Sequence, residues 1–401
     1  MIPVVMPTYA RIDLVFERGE GAWIWTREGR RFLDFTSGIA VNLLGHAHPY
    51  LVAKLHEQAQ KLWHTSNLFR VAGQEELATR LTRKTFADTV FFTNSGVEAW
   101  ECAVKVVRKY HYETGNPQKT RFIVASGAFH GRSTTAIAAA KSEKMVKGFG
   151  PLLDAFDQVA FDNLNELRAA ITPETGAIIV EPILGEGGIR PPTEGYLRAL
   201  REVADEYGLL LVFDEIQSGV ARTGKLFAHE WEGVTPDVMP IAKGIGGGFP
   251  VGACLATEKA AVGMTAGTHG STFGGNPLAM AVGAAVLDVV EEPGFLDHVN
   301  RIGALLKGRL DDLVARHGDV LELARGKGLM LGLKCRPDVT SADLVTVLRE
   351  NGLLTVNAAD NTVRILPPLI IGEAEVEEAC DIIDRSCRQM AESRMAKEVT
   401  A

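Results

Sequence analysis

The chain has 401 residues, of which 46% are hydrophobic and 23% are charged. A chain of this length usually forms roughly two or three domains, and its core is large enough to need no disulfide or metal. The formal net charge of −8 argues against a basic surface for nucleic acid. No apolar run reaches the ~20 residues of a membrane span, and the N-terminus lacks the features of a secretory signal. We therefore expect a soluble, cytoplasmic protein that binds neither nucleic acid nor membrane.

The cysteine and histidine spacings give no metal-binding pattern. The five cysteines are scattered and contain no Cys-x-x-Cys pair, which favours buried free thiols over a zinc ribbon or a redox dithiol. His46 and His48 are spaced as a metal pair could be, but they also suit a turn before Pro49. Since no further ligand set accompanies them, we predict the turn and no metal.

Apolar runs alternate with helical patterns between about residue 70 and residue 290. Helices are predicted over 96–112 and 193–207, and strands over 89–92, 121–125, 177–180, 209–213, 238–241 and 252–256. The strand segments are continuously apolar rather than alternating, which is typical of a sheet that is buried on both faces. The pattern predicts an α/β domain with a mainly parallel sheet.

The pattern changes after about residue 295. Helices are predicted over 305–316, 341–351 and 374–398, and strands over 328–333 and 363–366, which together indicate a smaller α+β domain. Two short strands near residues 23–25 and 31–35 are expected to join that smaller domain. The predicted division is an N-terminal segment over 1–65, a large α/β domain over 66–295 and a small domain over 296–401.

Polar residues that follow strands are the first candidates for a site, because ligands of open α/β sheets bind beyond the carboxyl ends of the strands. Ser95, Gly96 and Glu98 open a predicted helix directly after a strand. Backbone amides at such a helix start can hold a phosphate. The same residues also fit an ordinary serine N-cap with a glutamate three residues later. The spacing alone leaves both interpretations open.

Two ionisable residues occupy similar positions further along the chain. Asp214 follows five apolar residues, where a carboxylate must be paired or solvated, and a plain salt bridge would satisfy it. Lys243 lies between an apolar run and a glycine-rich stretch. A desolvated lysine there would suit Schiff-base chemistry, whereas a flexible loop is the alternative. The order of residues fits neither a P-loop nor a dinucleotide-binding glycine motif.

Taken together and in this order, the motifs resemble those of the class III pyridoxal-phosphate-dependent aminotransferases, and the likeness covers nearly the whole chain. The segments that carry the resemblance are 38–42 with 45–49, 94–99, 129–132, 180–182 with 185–188, 214–219, 242–244 and 270–277. Segments 8–11, 21–23, 64–69 and 364–369 make the likeness greatest to the acetylornithine aminotransferases. The resemblance implies the fold of type I pyridoxal-phosphate enzymes and a homodimer whose active sites are shared across the interface.

The resemblance also implies a role for each motif residue. Lys243 would bind pyridoxal 5'-phosphate covalently and then carry the proton, and Asp214 would pair with the pyridine nitrogen and keep it protonated. The other cofactor-binding residues that it implies are Ser95 and Gly96 at the phosphate, Phe129 stacked on the ring, His130 packed nearby, Gln217 near the ring hydroxyl and Thr272 reaching the phosphate of the neighbouring subunit.

The implied substrate-binding residues are Arg364, Arg132, Glu186 and Ser271. Arg364 would bind the α-carboxylate of glutamate, and Arg132 would bind the distant carboxylate of acetylornithine or 2-oxoglutarate. Glu186 would neutralise Arg364 when the donor reacts through its side-chain amine. The sequence departs from the family pattern at Arg70, Val97 and Trp100, and none of these changes removes a catalytic group.

The expected reaction is transamination between N2-acetylornithine and 2-oxoglutarate, which gives N-acetylglutamate 5-semialdehyde and glutamate in arginine biosynthesis. Succinylornithine, succinyldiaminopimelate, ornithine and 4-aminobutyrate are alternative donors within the family, and an aminomutase shares the same motifs. A non-catalytic module with this fold is a rival from another class, and the presence of Lys243 and Asp214 argues against it. A dinucleotide oxidoreductase is disfavoured because its glycine fingerprint is missing.

Overall fold

The computed structural model describes the backbone of residues 2–400 and the side chains of residues 2–394. The N-terminal part forms a small antiparallel group of strands followed by helices. Its elements are β1 (Phe16–Glu20), β2 (Trp23–Thr26), β3 (Arg31–Asp34), the single turn α1 (Ser37–Ala40), α2 (Pro49–Ala59) and α3 (Gln74–Lys84). The first three strands pair in chain order, which confirms the two short strands predicted there.

The middle of the chain builds a seven-stranded sheet with helices between its strands. In chain order the elements are β4 (Thr89–Thr93), α4 (Gly96–Glu113), β5 (Arg121–Ala125), α5 (Thr134–Ala140), α6 (Glu143–Val146), β6 (Phe156–Val159), α7 (Leu164–Ala169), β7 (Thr175–Val180), α8 (Tyr196–Tyr207), β8 (Leu210–Phe213), β9 (Val238–Ile241), β10 (Gly252–Ala256) and α9 (Pro277–Val290). Short 3₁₀ turns lie at Ala228–Glu232 and Lys243–Gly246.

The sheet is mainly parallel, as the sequence predicts. Its strand order is β4-β10-β9-β8-β7-β5-β6, and β10 alone runs antiparallel to both of its neighbours. Every residue of β7 and β8 is buried. Successive side chains point to opposite faces, so Ile179 and Val212 belong to the core on the α4 side while Ile178 and Leu211 belong to the core on the α8 side. Burial on both faces explains why these strands are continuously apolar.

The C-terminal part has a second, four-stranded antiparallel sheet in the order β11-β12-β15-β14. Its elements are α10 (Phe295–Arg316), β11 (Leu321–Lys327), β12 (Met330–Cys335), α11 (Ser341–Glu350), β13 (Leu353–Leu354), β14 (Val356–Ala358), β15 (Thr362–Ile365) and α12 (Glu373–Thr400). The short strand β13 pairs in parallel with β3, so the two ends of the chain share one sheet. The domain boundaries at residues 65 and 295 stay a prediction.

Among the displaced element starts, three lie next to a glycine with a left-handed backbone. The helix predicted from Thr193 begins at Tyr196, because Gly195 adopts φ 90° as its N-cap. The helix predicted from Leu305 begins ten residues earlier, after Gly294 with φ 88°. The strand predicted from residue 328 begins at residue 330, since Gly328, with φ 56°, forms the preceding turn. Among the described residues, no helix is both long enough and apolar enough to span a bilayer.

Candidate active site

The carboxyl ends of five strands meet at one edge of the central sheet, and a cavity of about 340 Å³ lies there. The residues after β4, β5, β7, β8 and β9 all contribute to its wall, and so does the segment that leads into the antiparallel β10. The lining residues are Val41, Asn94, Ser95, Gly96, Val97, Phe129, His130, Gly131, Glu181, Asp214, Ile216, Gln217, Ala242, Lys243, Gly248, Phe249, Pro250 and Val251. Polar residues that follow strands, among them Ser95, Asp214 and Lys243, therefore line this cavity.

The N-terminus of α4 forms one wall of the cavity. Ser95 is extended, with φ −152°, and its Oγ accepts a hydrogen bond from the amide of Glu98 at 3.4 Å. The Glu98 carboxylate in turn accepts from the amide of Asn94 at 2.7 Å. The first amides of a helix have no acceptor within the helix, so those at Gly96 and Val97 can still hold an anion. Capping and phosphate binding, which the sequence left as alternatives, are therefore compatible at this position.

Lys243 follows β9 and lies half-buried in the cavity wall. Its backbone is left-handed, with φ 49°, which is an uncommon and strained conformation for a residue with a side chain. Desolvation lowers the pKa of its amine to about 8, although the negative charge of Glu186 opposes that shift. The neutral, nucleophilic amine is therefore far more abundant at neutral pH than on a free lysine.

Asp214 is held at both of its carboxylate oxygens. Oδ1 accepts a hydrogen bond from the amide of Ile216 at 3.1 Å, and Oδ2 lies 2.7 Å from His130 Nδ1. Asp214 is 3% exposed and His130 is 2% exposed. Burial opposes charge on the imidazole, but the hydrogen bond and charge of Asp214 and the charge of Glu181 raise the pKa of His130. The sequence placed His130 near the cofactor but gave no indication of this contact with Asp214.

Glu181 is a buried carboxyl group in the cavity to which the sequence analysis assigned no role. Its two oxygens accept hydrogen bonds from the amides of Phe129, at 2.8 Å, and Gly185, at 3.0 Å. Burial raises its pKa to about 7; the nearby charge of His130 opposes this shift and that of Asp214 adds to it. Its position directly after β7 is the signal that singles it out, because Asp214 stands in the same way after β8.

Phe129 and Gln217 also line the cavity, as the resemblance implies. Gln217 is 7% exposed, and its Oε1 has no hydrogen-bond partner among the described residues. Gly185 lies against this side chain, since a Cβ at that position would be 2.5 Å from Gln217 Nε2. A buried amide oxygen without a partner is costly, so Gln217 has an acceptor available for a ligand donor.

Arg364 lies on β15 of the second sheet and forms an ion pair with Glu186. Its Nη1 donates to Glu186 Oε1 at 2.5 Å, and its Nη2 donates to Glu186 Oε2 at 3.2 Å. Arg364 is 1% exposed. The charges of both residues influence the pKa of Lys243, so the pair lies within electrostatic reach of that amine. The guanidinium is held in the bidentate geometry that suits a carboxylate.

Arg132, Ser271 and Thr272 lie around the cavity rather than in it. The Arg132 side chain is exposed, with its guanidinium carbon 5.8 Å from the centre of the Phe129 ring, and no described carboxylate pairs with it. Ser271 Oγ accepts from Asn94 Nδ2 at 3.3 Å, which ties its loop to the start of α4. Thr272 is exposed on that loop and lines a neighbouring cavity of about 470 Å³.

Four features of the cavity match groups of pyridoxal phosphate. The amides at the start of α4 match its phosphate, and the buried carboxylate of Asp214 matches a protonated ring nitrogen. The amine of Lys243, with its lowered pKa, matches an aldehyde, and the unpartnered Oε1 of Gln217 matches a ring hydroxyl. A cluster of three or more metal-ligating side chains is not found within the described part of the chain.

Comparison with known proteins agrees with this chemistry. Residues 4–386 match the family described as aminotransferase class-III. The acetylornithine aminotransferase of Rhodobacter capsulatus is 60% identical over 390 residues, which cover 97% of this chain and 99% of that protein. The ornithine aminotransferase of Toxoplasma gondii has a TM-score of 0.94 at 32% identity, over 97% of this chain and 94% of the other. The N-acetylornithine aminotransferase of Stenotrophomonas maltophilia has a TM-score of 0.84 at 37% identity, with 96% and 98% covered.

Proposed function

Because the chain belongs to the class-III aminotransferases, we propose that it transfers the side-chain amino group of N2-acetylornithine to 2-oxoglutarate. The products are N-acetylglutamate 5-semialdehyde and glutamate, which places the reaction in arginine biosynthesis. The observation that carries the choice of donor is the 60% identity to an acetylornithine aminotransferase over nearly the full length of both chains.

Like its family, the enzyme depends on pyridoxal phosphate, an electrophilic ring that stabilises the electron pair left on carbon when a C–H bond next to the amine breaks. We propose that Ser95 and Gly96 hold its phosphate, that Phe129 covers its ring and that Gln217 meets its hydroxyl. Asp214, fixed by His130 and by the amide of Ile216, would keep the ring nitrogen protonated. Lys243 Nζ would hold the cofactor covalently and then move the proton.

The two substrates present different groups to the same site, and the arginines supply the discrimination. Glutamate reacts through its α-amine, so its α-carboxylate lies near the reacting carbon and needs Arg364. Acetylornithine reacts through its distant amine and brings no carboxylate there. The bidentate Glu186–Arg364 pair supports a site in which Glu186 neutralises the arginine for that half-reaction. Arg132, which no described carboxylate pairs with, would bind the carboxylate at the far end of either substrate.

Free ornithine is the second candidate donor. It is favoured by the TM-score of 0.94 to an ornithine aminotransferase, a structural similarity greater than the 0.84 to the acetylornithine aminotransferase of Stenotrophomonas maltophilia. Sequence identity favours the acetylated donor, because that ornithine enzyme is 32% identical to this chain whereas the acetylornithine enzyme of Rhodobacter capsulatus is 60% identical. The two donors differ in charge at the α-amine, so a direct comparison separates them.

The test is a spectroscopic titration of the purified enzyme loaded with pyridoxal phosphate. N-Acetylornithine, succinylornithine, succinyldiaminopimelate, ornithine, 4-aminobutyrate and glutamate are added separately, and the visible absorption band of the bound cofactor is followed. We expect N-acetylornithine and glutamate to remove the band and the others to act far more slowly. A prompt response to ornithine or 4-aminobutyrate but not to N-acetylornithine would overturn the proposed donor. Lys243→Ala is the control, since without the amine that moves the proton no donor should transfer its amino group at a comparable rate.

We also propose that the enzyme is a cytoplasmic homodimer. All five cysteines are free and buried, which supports a reducing compartment. Thr272 is exposed and lines a cavity separate from the one that holds Lys243. This position supports a role for Thr272 at the phosphate of the neighbouring subunit rather than of its own.

A further inference from the structure

Trp100 is a large aromatic residue without a role in the chemistry described above, and it departs from the family pattern. It lies one turn into α4, the helix whose first amides line the cofactor cavity. Its side chain is fully buried, and its ring stacks on His130 with 5.3 Å between ring centres and 16° between the planes. The same helix therefore contacts the proposed phosphate site at its N-terminus and His130 one turn later.

The contacts of His130 show what this stacking can achieve. The only hydrogen bond found for its ring among the described residues is that between Nδ1 and Asp214 Oδ2, at 2.7 Å, and Nε2 has no partner there. A single hydrogen bond does not fix the plane of an imidazole, because the ring can rotate about its own side-chain bonds. The indole face blocks that rotation on one side. Trp100 Nε1 is also without a partner, so the contact is one of ring faces and not a hydrogen bond.

We propose that Trp100 is a positioning residue for transamination, whose stacked ring keeps His130 on Asp214 and so fixes the carboxylate that meets the cofactor nitrogen. The inference rests on the proposed function only for the role of Asp214. An aromatic face also favours an imidazole that carries a positive charge. Asp214 and Glu181 are the charged groups that influence the pKa of this imidazole. The amine of Lys243 interacts with both of these carboxylates rather than with the imidazole.

Phe156 offers a matched control in the same core. Its ring lies 5.8 Å from that of Trp100 and is fully packed, but it stacks on Phe122 rather than on His130. Phe156→Leu and Trp100→Leu each remove one buried aromatic ring from one cluster. Both should lower the melting temperature, and only Trp100→Leu removes the contact with the imidazole.

The first measurement is the affinity of the apoenzyme for pyridoxal phosphate, alongside kcat and KM of the loaded enzyme. We expect Trp100→Leu to raise the Kd of the cofactor and to lower kcat, each roughly three- to tenfold, which is the range that an aromatic pair contributes. KM for the amino donor should stay unchanged. Trp100→Phe should restore most of the loss, and Phe156→Leu should leave Kd and kcat near wild type. Equal changes in Trp100→Leu and Phe156→Leu at equal loss of melting temperature would overturn the proposal.

The second measurement uses the apoenzyme alone and does not depend on any substrate. Indole fluorescence is quenched by a protonated imidazole in contact with it. Measured at a pH at which His130 is protonated, His130→Asn should increase the tryptophan emission of the wild-type apoenzyme and have no effect in a Trp100→Phe background. An identical response in both backgrounds would show that Trp100 does not sense His130 and would overturn the proposal. If N-acetylornithine did not remove the cofactor band but the two fluorescence responses were as expected, the proposed reaction would be wrong. The positioning contact between Trp100 and His130 would still be supported.

Discussion

Lys243 combines a left-handed backbone with an amine whose pKa desolvation lowers to about 8. The amine is protonated below that pH and cannot attack an aldehyde. We therefore expect the rate at which the apoenzyme takes up pyridoxal phosphate covalently to rise with pH and to reach half its maximum near pH 8. Stopped-flow absorbance of the forming cofactor band measures this rate.

Either of two results would contradict the proposed role of the Lys243 amine. A midpoint near the ordinary lysine pKa of about 10.4 would mean that the cavity does not desolvate the amine. Covalent uptake in Lys243→Ala would mean that another amine is the acceptor. The variant Lys141→Ala is the control, because Lys141 is an exposed lysine outside the cavity whose loss should leave the profile unchanged.

Glu186 is the residue whose removal should separate the two half-reactions. Glu186→Gln leaves Arg364 without its carboxylate partner in the free enzyme. An uncompensated buried arginine binds a substrate carboxylate more readily, so reaction with glutamate should be maintained or improved while reaction with N-acetylornithine slows. We expect the ratio of the two single-turnover rates to change by roughly tenfold or more, since breaking a buried ion pair has a large effect.

A matched variant controls for a general effect of removing one negative charge in the Glu186→Gln experiment. Glu194 is an exposed glutamate eight positions further along the chain. Glu194→Gln carries the same change in charge and should leave the ratio at the wild-type value. If Glu186→Gln also left it unchanged, Glu186 would have no part in selecting between the substrates.

At the scale of elements, the start of α4 depends on its contact with β10. Gly252 pairs with Thr93 across β4 and β10, and a Cβ at Gly252 would lie 2.5 Å from Thr93 Oγ1 and 2.6 Å from the carbonyl oxygen of Ser95. Backbone must therefore move in Gly252→Ala. We expect the apoenzyme to bind pyridoxal phosphate at least about tenfold more weakly, because the displaced segment carries the amides that we propose hold the phosphate. Isothermal titration of the apoenzyme measures this affinity.

A glycine-to-alanine substitution at a position with free space should stabilise the protein without affecting the site. Gly308 is exposed in the middle of α10, and a Cβ there would meet nothing within 4 Å. Gly308→Ala should raise the free energy of unfolding by about 0.5–1 kcal/mol, because alanine loses less backbone entropy in a helix. It should not alter cofactor affinity. Normal affinity in Gly252→Ala would show that the start of α4 tolerates the shift.

The elements also show which parts of this fold local sequence can predict. The strand predicted over 209–213 is found at Leu210–Phe213, because a strand buried on both faces needs an unbroken apolar run. β6 was not predicted, because its sequence Phe-Asp-Gln-Val contains only two apolar residues. Such a sequence is tolerated because β6 lies at the edge of the sheet. The early start of α10 was missed although Val299, Ile302 and Leu306 keep the helical spacing and are buried.

For the whole molecule, the strand ends indicate where the cavity lies, but contacts between distant segments do not follow from spacing. Asp214 and Lys243 were identified as candidates because each follows an apolar strand. The stack of Trp100 on His130 and the pairing of β13 with β3 join segments 30 and more than 300 residues apart. Such contacts depend on how helices and sheets pack, which no local pattern encodes. Glu181 was passed over for a different reason: its position was visible, and only its burial reveals that it is constrained.

The proposed sharing of sites between subunits can be tested with two inactive variants. Lys243→Ala removes the proposed catalytic amine. Thr272→Asp places a negative charge on the exposed loop that would meet the partner's phosphate. If Thr272 serves the neighbouring site, a mixed dimer has one complete site, formed by Lys243 of one chain and Thr272 of the other. Dissociating and reassociating an equimolar mixture should then recover about a quarter of wild-type activity, because half of the dimers are mixed and each has one of two sites intact. If Thr272 serves its own site, no combination of these chains is complete, and the mixture should stay as inactive as the two variants alone.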